Sequence, residues 1–317
     1  MSRITLALLA VVAVVTVPAA ASAAPNPWLK TTPLNIAHQG GEDEFPSNTM
    51  YAFGRALAVG SDMLELDVGV TKDGQVVVMH DTTLDRTTNG RGTIASHTLA
   101  QIRRLDGAYW FGGGARAYDH GRAKSAYRLR GVATGKRRPP AGFKRSDFRV
   151  PTLREVLKAF PRVPINVEIK GRTKAEAVAE YIQNADALAR TLRGVTRKDL
   201  IVVSFKQEAV DRFHQLRPNI SVAPGIGGSA DYLLGGKSPG AGVVAFQLPI
   251  TYVLNGSKLD ITNAERVAQA HRDGYAWQVW FGDDDPDAPA TWRKLISWDV
   301  DGVMTARPKA FETVLRG

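Results

Sequence analysis

An α/β fold of the TIM (β/α)8 barrel type is predicted by three features of the 317-residue sequence. Short apolar runs alternate with helical patterns, the rhythm of a mainly parallel sheet wrapped by helices. Polar and charged residues gather near the ends of those runs, where barrel enzymes keep their sites. No glycine-rich phosphate loop follows any of the runs, which places an open doubly wound sheet second.

The elements follow in order. Leu34 to Ala37 reads as a buried strand ending at His38, and Gly40-Gly41 open a loop. Pro46-Ser47-Asn48-Thr49 starts a helix in which Met50, Phe53 and Leu57 recur at helical spacing. The strand Met63 to Val70 and the run Gln75 to His80 are joined by Thr71-Lys72-Asp73-Gly74, a hairpin signal. Thr98-Leu99-Ala100-Gln101 and Thr152-Leu153-Arg154-Glu155 are capping boxes, the first for a helix to about Leu105. After strand Ile165 to Lys170 comes an alanine-rich helix from about Lys174 to Leu192. Strand Leu200 to Phe205, helix Gln207 to Leu216, strands Ile220 to Ile226 and Val243 to Leu248, helix Ala264 to Arg272, and strands Tyr275 to Phe281 and Gly302 to Met304 complete the chain. These make nine candidate strands for the eight places of a barrel, so one lies outside it.

The composition restricts the chemistry. Hydrophobic residues make up 44% of the chain, enough for a large core, and cysteine is absent. Thiolate catalysis, disulfides and zinc on sulfur are thereby excluded, leaving histidine, carboxylates and hydroxyls. In Met63-Leu64-Glu65-Leu66-Asp67-Val68 a period of two puts the leucines and valine on one face and both acids on the other. Ile165-Asn166-Val167-Glu168-Ile169-Lys170 repeats the pattern with Asn166, Glu168 and Lys170 turned inward. Charges on a core-like strand are expensive to bury unless paired. Glu65, Asp67 and Glu168 together would form a hard oxygen site for one divalent cation, magnesium or calcium, with Lys170 meeting an anion that the cation also binds. The competing arrangement is an interior salt-bridge network of Lys170 with Glu168 or Glu65. His38 and His80 stand where strands pass into loops and are expected to divide proton transfer, one accepting and one donating. His97, His120, His214 and His271 lack acidic strand neighbours and are assigned no role.

These residues fall in a familiar order. His-x-Gly-Gly at 38–41, Pro-x-Asn-Thr at 46–49, Glu-Leu-Asp-Val, Thr-Lys-Asp-Gly, Val-Val-Met-His-Asp, Thr-Leu-Asp-Arg-Thr-Thr-Asn-Gly, Pro-Thr-Leu-x-Glu-Val-Leu and Glu-Ile-Lys resemble the glycerophosphodiester phosphodiesterases. The resemblance implies a TIM-barrel hydrolase that converts glycerophosphodiesters to glycerol 3-phosphate and an alcohol. It implies His38 and His80 as the acid/base pair, Glu65, Asp67 and Glu168 as metal ligands, and Lys170, Gln39 and Trp280 as substrate contacts. The chain departs from the family at Gln39, where arginine is usual, at Ser47, where glutamate is usual, and at Ala306, where aspartate is common. A basic residue of the segment Gly112 to Arg149 is one candidate to replace the arginine. The sequence leaves open whether water or a glycerol hydroxyl is the nucleophile. Two further readings are a phospholipase D-like enzyme acting on lysophospholipid or sphingolipid, and a non-catalytic binder of anionic polymer.

Two segments lie outside the barrel pattern. Arg3, the apolar run Ile4 to Val17, and Ala21-Ser22-Ala23 have the layout of a secretory signal peptide over residues 1–23, so a secreted domain spanning 34–317 is expected. Residues 112–149, between the third and fourth strands, hold eleven cations against two acids, a net +9 of the chain's +10. Their glycines, prolines and lack of apolar periodicity predict a basic irregular insertion. It is a candidate contact for an anionic membrane or cell-wall polymer, or simply a solvated loop. No nucleic-acid partner is expected.

Overall fold

The computed structural model describes residues 26–317 apart from 255 and 283, so the signal-peptide reading of 1–23 lies outside the described residues. The elements are β1 (Leu34–Ala37), α1 (Met50–Ala58), β2 (Met63–Val70), β3 (Val76–Val78), α2 (Leu99–Ile102), α3 (Leu153–Ala159), β4 (Ile165–Ile169), α4 (Val178–Thr191), β5 (Leu200–Val203), α5 (Gln207–Leu216) and β6 (Ser221–Val222). They continue as α6 (Ile226–Gly235), β7 (Ala245–Leu248), β8 (Thr251–Leu254), β9 (Ser257–Asp260), α7 (Ala264–Arg272), β10 (Ala276–Trp280), α8 (Pro289–Ser297), β11 (Gly302–Thr305) and α9 (Pro308–Leu315).

Eight parallel strands run in the order β6-β5-β4-β2-β1-β11-β10-β7, and a parallel bridge from Val222 to Val243 brings the two edges together, so the barrel is nearly closed. The ninth candidate strand is β3, which pairs antiparallel with the end of β2, as the Asp-Gly turn at Gly74 (φ 76°) predicts. Both capping boxes form, on Thr98 and on Thr152. Thr49 caps α1 by accepting the Ala52 amide at 3.1 Å.

The side-chain period of two sorts the layers as expected. Leu64, Leu66, Val68, Val167 and Ile169 face the helices in one apolar layer. Ile36, Met63, Ile201, Ala245, Ala276 and Met304 fill the barrel interior with Trp28. The lead-in to the first strand is part of the structure: Asn26 donates to the carbonyls of Val244 and Gly274, and buried Trp28 plugs the N-terminal end of the barrel. At that end Asp301, fully buried, accepts from the amides of Lys30 and Trp277 and pairs with His271 at 2.7 Å.

The sequence reading differs from the fold in several places: α8 and α9 are not among its elements, the helix expected to about Leu105 ends at Ile102, and the one expected from about Lys174 begins at Val178. Ile220 to Ile226 is a strand only at Ser221–Val222, because Ile226 already begins α6. Neither α6 nor the β8–β9 hairpin is signalled by the sequence; α6 carries three glycines among its ten residues and shows little apolar periodicity. The basic segment does run between β3 and β4 and is irregular apart from two single turns, yet it is not a loose solvated loop. It buries Val132, Ala133 and Phe148 in a small core, and Phe148 stacks on Tyr51 of α1. The Arg130 guanidinium lies over the rings of Tyr109, Trp110 and Tyr127 at 3.9 to 4.5 Å. Among the described residues no helix is long and apolar enough to cross a membrane.

Candidate active site

The site is built from the turns that follow the strands. After β1 the chain makes a tight turn in which Gln39, Gly40 and Gly41 all have positive φ (51°, 80° and 86°). A Cβ at Gly40 would come within 2.9 Å of Ala52 Cβ, and one at Gly41 within 2.7 Å of Pro308, which accounts for the paired glycines. The turn aims the Gln39 amide at Glu65, whose Oε2 accepts it at 2.7 Å. Asn48 adopts φ 56° and donates from Nδ2 to Asp67 Oδ2 at 2.9 Å, so a residue that tolerates the left-handed region and carries an amide is required there.

Neighbouring β2 and β4 place Glu65 beside Asn166 and Asp67 beside Glu168 in register. All three acids are buried, and one oxygen from each lies within 4.8 Å of the others. Lys170 Nζ bonds Glu168 Oε1 at 2.7 Å and stands 3.2 Å from Asp67 Oδ1. The salt-bridge network is therefore present, with Asp67 rather than Glu65 as the second partner, and it leaves three acids facing one lysine. Burial, then the neighbouring Asp67 charge, push the Glu65 carboxyl well above its usual range. Burial also acts to raise Asp67, but Lys170, both imidazoles and the Asn48 amide outweigh it and hold that group below its usual range. Burial opposes the charge on Lys170, yet Glu168 and Asp67 raise its pKa beyond that of a free lysine.

The two imidazoles face this cluster, and each rests its Nδ1 on a carboxylate. His38 Nδ1 lies 2.8 Å from Glu42 Oε1, and its Nε2 is 3.9 Å from Glu65 Oε2. Burial disfavours its charge, but Glu42 and Glu65 overcome this and raise the imidazole to about 10. His80 Nδ1 lies 2.9 Å from Asp81 Oδ1, and Arg86 clamps Asp81 with bonds of 2.7 and 2.9 Å. Burial acts to raise the Asp81 carboxyl, but His80 and Arg86 together hold it well below the usual range.

His38, His80, Glu168, Lys170 and Trp280 line a cleft of about 420 Å3, with Glu65 and Asp67 behind that lining. Asn166 and Gln247 continue it downward, joined by a 2.9 Å hydrogen bond. Gln39 is the exception among the expected substrate contacts. Its left-handed backbone turns the side chain into the protein, 3% exposed, where Oε1 accepts from Ser47 Oγ at 2.6 Å. No cation of residues 112–149 lines the cleft either, so none of them takes the place of the missing arginine. Sequence reasoning missed Glu42, Asp81 and Arg86 as partners of the histidines, although Asp81 adjoins His80 and Arg86 lies in the Thr-Leu-Asp-Arg motif. It also missed Phe205, which packs edge-on against Trp280 at 5.5 Å.

The same barrel recurs in solved phosphodiesterases. One from Oleispira antarctica, in complex with the product sn-glycerol-3-phosphate, matches with a TM-score of 0.63 at 20% identity, covering 90% of this chain and 98% of that one. The glycerophosphodiester phosphodiesterase of Agrobacterium tumefaciens C58 matches with a TM-score of 0.57 at 23% identity over 88% and 98% of the two chains. These likenesses define the fold, a TIM barrel of the kind phosphodiesterases use. Sequence similarity is more specific. Residues 38–310 match the model of the Glycerophosphoryl diester phosphodiesterase family. The glycerophosphodiester phosphodiesterase of Bacillus subtilis strain 168 is 30% identical over 289 residues, 90% of this chain and 87% of that protein. The chain belongs to the glycerophosphoryl diester phosphodiesterase family and is an enzyme of that class, which sets aside the non-catalytic binder.

Proposed function

We propose that this chain is a secreted, metal-dependent enzyme that hydrolyses glycerophosphodiesters to sn-glycerol 3-phosphate and an alcohol, with His38 and His80 moving the protons. The observation that carries this reading is the convergence of Glu65, Asp67 and Glu168 between two imidazoles oriented by carboxylates. The acids fit a hard cation: Asp67 Oδ1 is buried and accepts no hydrogen bond, and the cluster's negative charge exceeds what Lys170 balances. Glu65, Asp67 and Glu168 would hold one divalent cation, Ca2+ or Mg2+, which supplies Lewis-acid polarisation of a phosphoryl oxygen when bound.

The chain's own groups do the rest. Lys170, in the wall of the cleft, offsets the charge of the phosphate. His80, held by Asp81, accepts a proton at Nε2 from the incoming oxygen. His38, kept charged by Glu42 and Glu65, donates from Nε2 to the departing oxygen as its bond to phosphorus breaks. Either water or the substrate's glycerol hydroxyl can serve as the incoming oxygen. Secretion is supported by the pattern of residues 1–23, with 34–317 as the catalytic domain. Exposed Lys136, Arg137, Arg138, Lys144 and Arg145 support contact of the insertion with an anionic membrane or polymer.

The test is release of glycerol 3-phosphate from glycerophosphocholine before and after chelation. Activity lost on chelation and restored by Ca2+ or Mg2+ is expected. Turnover that persists without any divalent ion would overturn the metal assignment.

A further inference from the structure

We propose that Tyr118, near the head of the basic insertion, is a positioning residue that fixes His38 and His80 relative to one another by bracing the loop of one against the loop of the other. The inference rests on the reading that these two imidazoles move the protons, and it gives the insertion a part in catalysis.

The brace begins in the Gly112-Gly113-Gly114 run. Gly113 and Gly114 take φ of 75° and 77°, a left-handed pair that reverses the chain. Gly112 closes the reversal by donating its amide to the Ala117 carbonyl at 2.7 Å, and Ala117, itself buried, hands over to Tyr118. The Gly114 amide donates to the Asp43 carbonyl at 2.7 Å, which fastens the reversal to the loop that follows His38.

Tyr118 then reaches both sides of the active-site mouth. Its phenolic oxygen accepts the Ser47 amide at 2.5 Å, in the turn that also carries Asn48, the donor to Asp67. That turn holds the backbone beside His38: Ser47 Oγ bonds the Gln39 side chain, and the Asn48 amide donates to the Gln39 carbonyl at 2.7 Å. On the other side the Arg86 guanidinium lies over the Tyr118 ring, 5.0 Å from its centre. Arg86 is the clamp on Asp81, and Asp81 holds His80. His120 adds a second tie, donating from Nε2 to the Arg86 carbonyl at 3.0 Å while its ring stacks on Trp110 at 3.9 Å.

The partners Asp43, Ser47 and Arg86 all lie in the loops after β1 and β3. Among the described residues no hydrogen bond runs directly between 38–49 and 80–92, so the insertion supplies the bridge. Burial raises the phenol well above its ordinary range, so Tyr118 stays protonated and offers Ser47 a neutral oxygen rather than a base to the substrate. An acid and a base that serve one phosphate must each stand within hydrogen-bond reach of its own oxygen, which makes their separation a catalytic quantity.

The experiment measures kcat and KM for glycerophosphocholine, with the full chain and added Ca2+ or Mg2+. Tyr118→Phe keeps the ring beneath Arg86 and loses the oxygen; Tyr118→Leu loses both. A misplacement of about 1 Å can cost about 100-fold, so kcat should fall about 10-fold in the first variant and about 100-fold in the second, with KM within about twofold of the parent. The additional loss from Tyr118→Phe to Tyr118→Leu passes through Arg86 and Asp81, so it should disappear in a His80→Ala background. A merely structural ring would cost as much there as in the parent. Parent kcat in either folded variant, or an additional loss undiminished by His80→Ala, would overturn the inference and leave the phosphodiesterase reading standing. Parent activity in His80→Ala itself would overturn the histidine assignment beneath it.

Discussion

Ser47 Oγ donates a 2.6 Å hydrogen bond to Gln39 Oε1, and these are two positions where the chain lacks the charged residues usual in its family. The two departures are one event in space: a neutral pair stands where an arginine and a glutamate are usual. Both side chains are buried, so changing one alone leaves an unpaired charge. Gln39→Arg or Ser47→Glu singly should therefore destabilise the fold by about 3 kcal/mol or more. The double variant should recover much of that, with a coupling of about 1–3 kcal/mol in urea denaturation. Strictly additive effects would show that the positions are not coupled.

The acid cluster sets a second expectation. Asp67→Asn or Glu168→Gln should lower kcat by about two orders of magnitude or more, since metal polarisation is worth several kcal/mol. Ca2+ or Mg2+ is expected to raise the Tm of the parent by binding the folded state, and each substitution should abolish that rise. A thermal shift that survives both substitutions would place the ion elsewhere.

On the proposed mechanism Asp81 and Arg86 would act through His80, which Asp81 holds at Nδ1. General acid/base groups contribute about 10^2 to 10^4 in rate, so His80→Ala should fall in that range and Asp81→Asn should cost less. Combining the two should add nothing to the loss from His80→Ala, because Asp81 is a positioning residue whose effect vanishes with the imidazole. Independent, multiplying losses would refute that dependence.

Asp287 makes stability depend on pH. Burial raises its carboxyl to about 6 despite donors from Trp292, Thr305 and Ala306. An unfolded aspartate titrates near about 3.9, so between the two values the native state binds more protons than the unfolded one. Stability from this group is therefore full below about pH 4 and declines as pH rises through 6, by at most about 3 kcal/mol. Asp287→Asn should remove that decline from urea unfolding measured across the interval. An unaltered slope would assign it to other groups.

Phe148 tests whether the basic segment is part of the fold. It is fully buried and stacks on Tyr51, so Phe148→Ala should cost about 3–5 kcal/mol. A change below about 0.5 kcal/mol would mean that the segment is merely attached.

The barrel and its acid cluster were legible because strand periodicity is strict. Once Leu64 and Leu66 face the helices, Glu65 and Asp67 must face inward, and Val167 and Ile169 do the same for Glu168. Even the excess ninth strand carried its own signal in the Asp-Gly turn. Gln39 was misread because a sequence motif does not show a positive φ, and that torsion decides whether the side chain meets the cleft or Ser47. α6 and the hairpin were illegible for another reason: α6 carries three glycines in ten residues and every residue of β9 is exposed, so neither shows the periodicity that burial imposes. The insertion hid its core among arginines because Phe148, Val132 and Ala133 are spaced by loop geometry rather than by a helix or strand.

Trp28 stoppers the barrel at the end opposite the histidines, and Asn26 is laced there to two carbonyls. A support or carrier joined ahead of Asn26 would thus hold the molecule by its floor, with the reactive opening turned toward the bulk. Immobilised in this orientation, the enzyme would meet dissolved diesters unobstructed by its own tether.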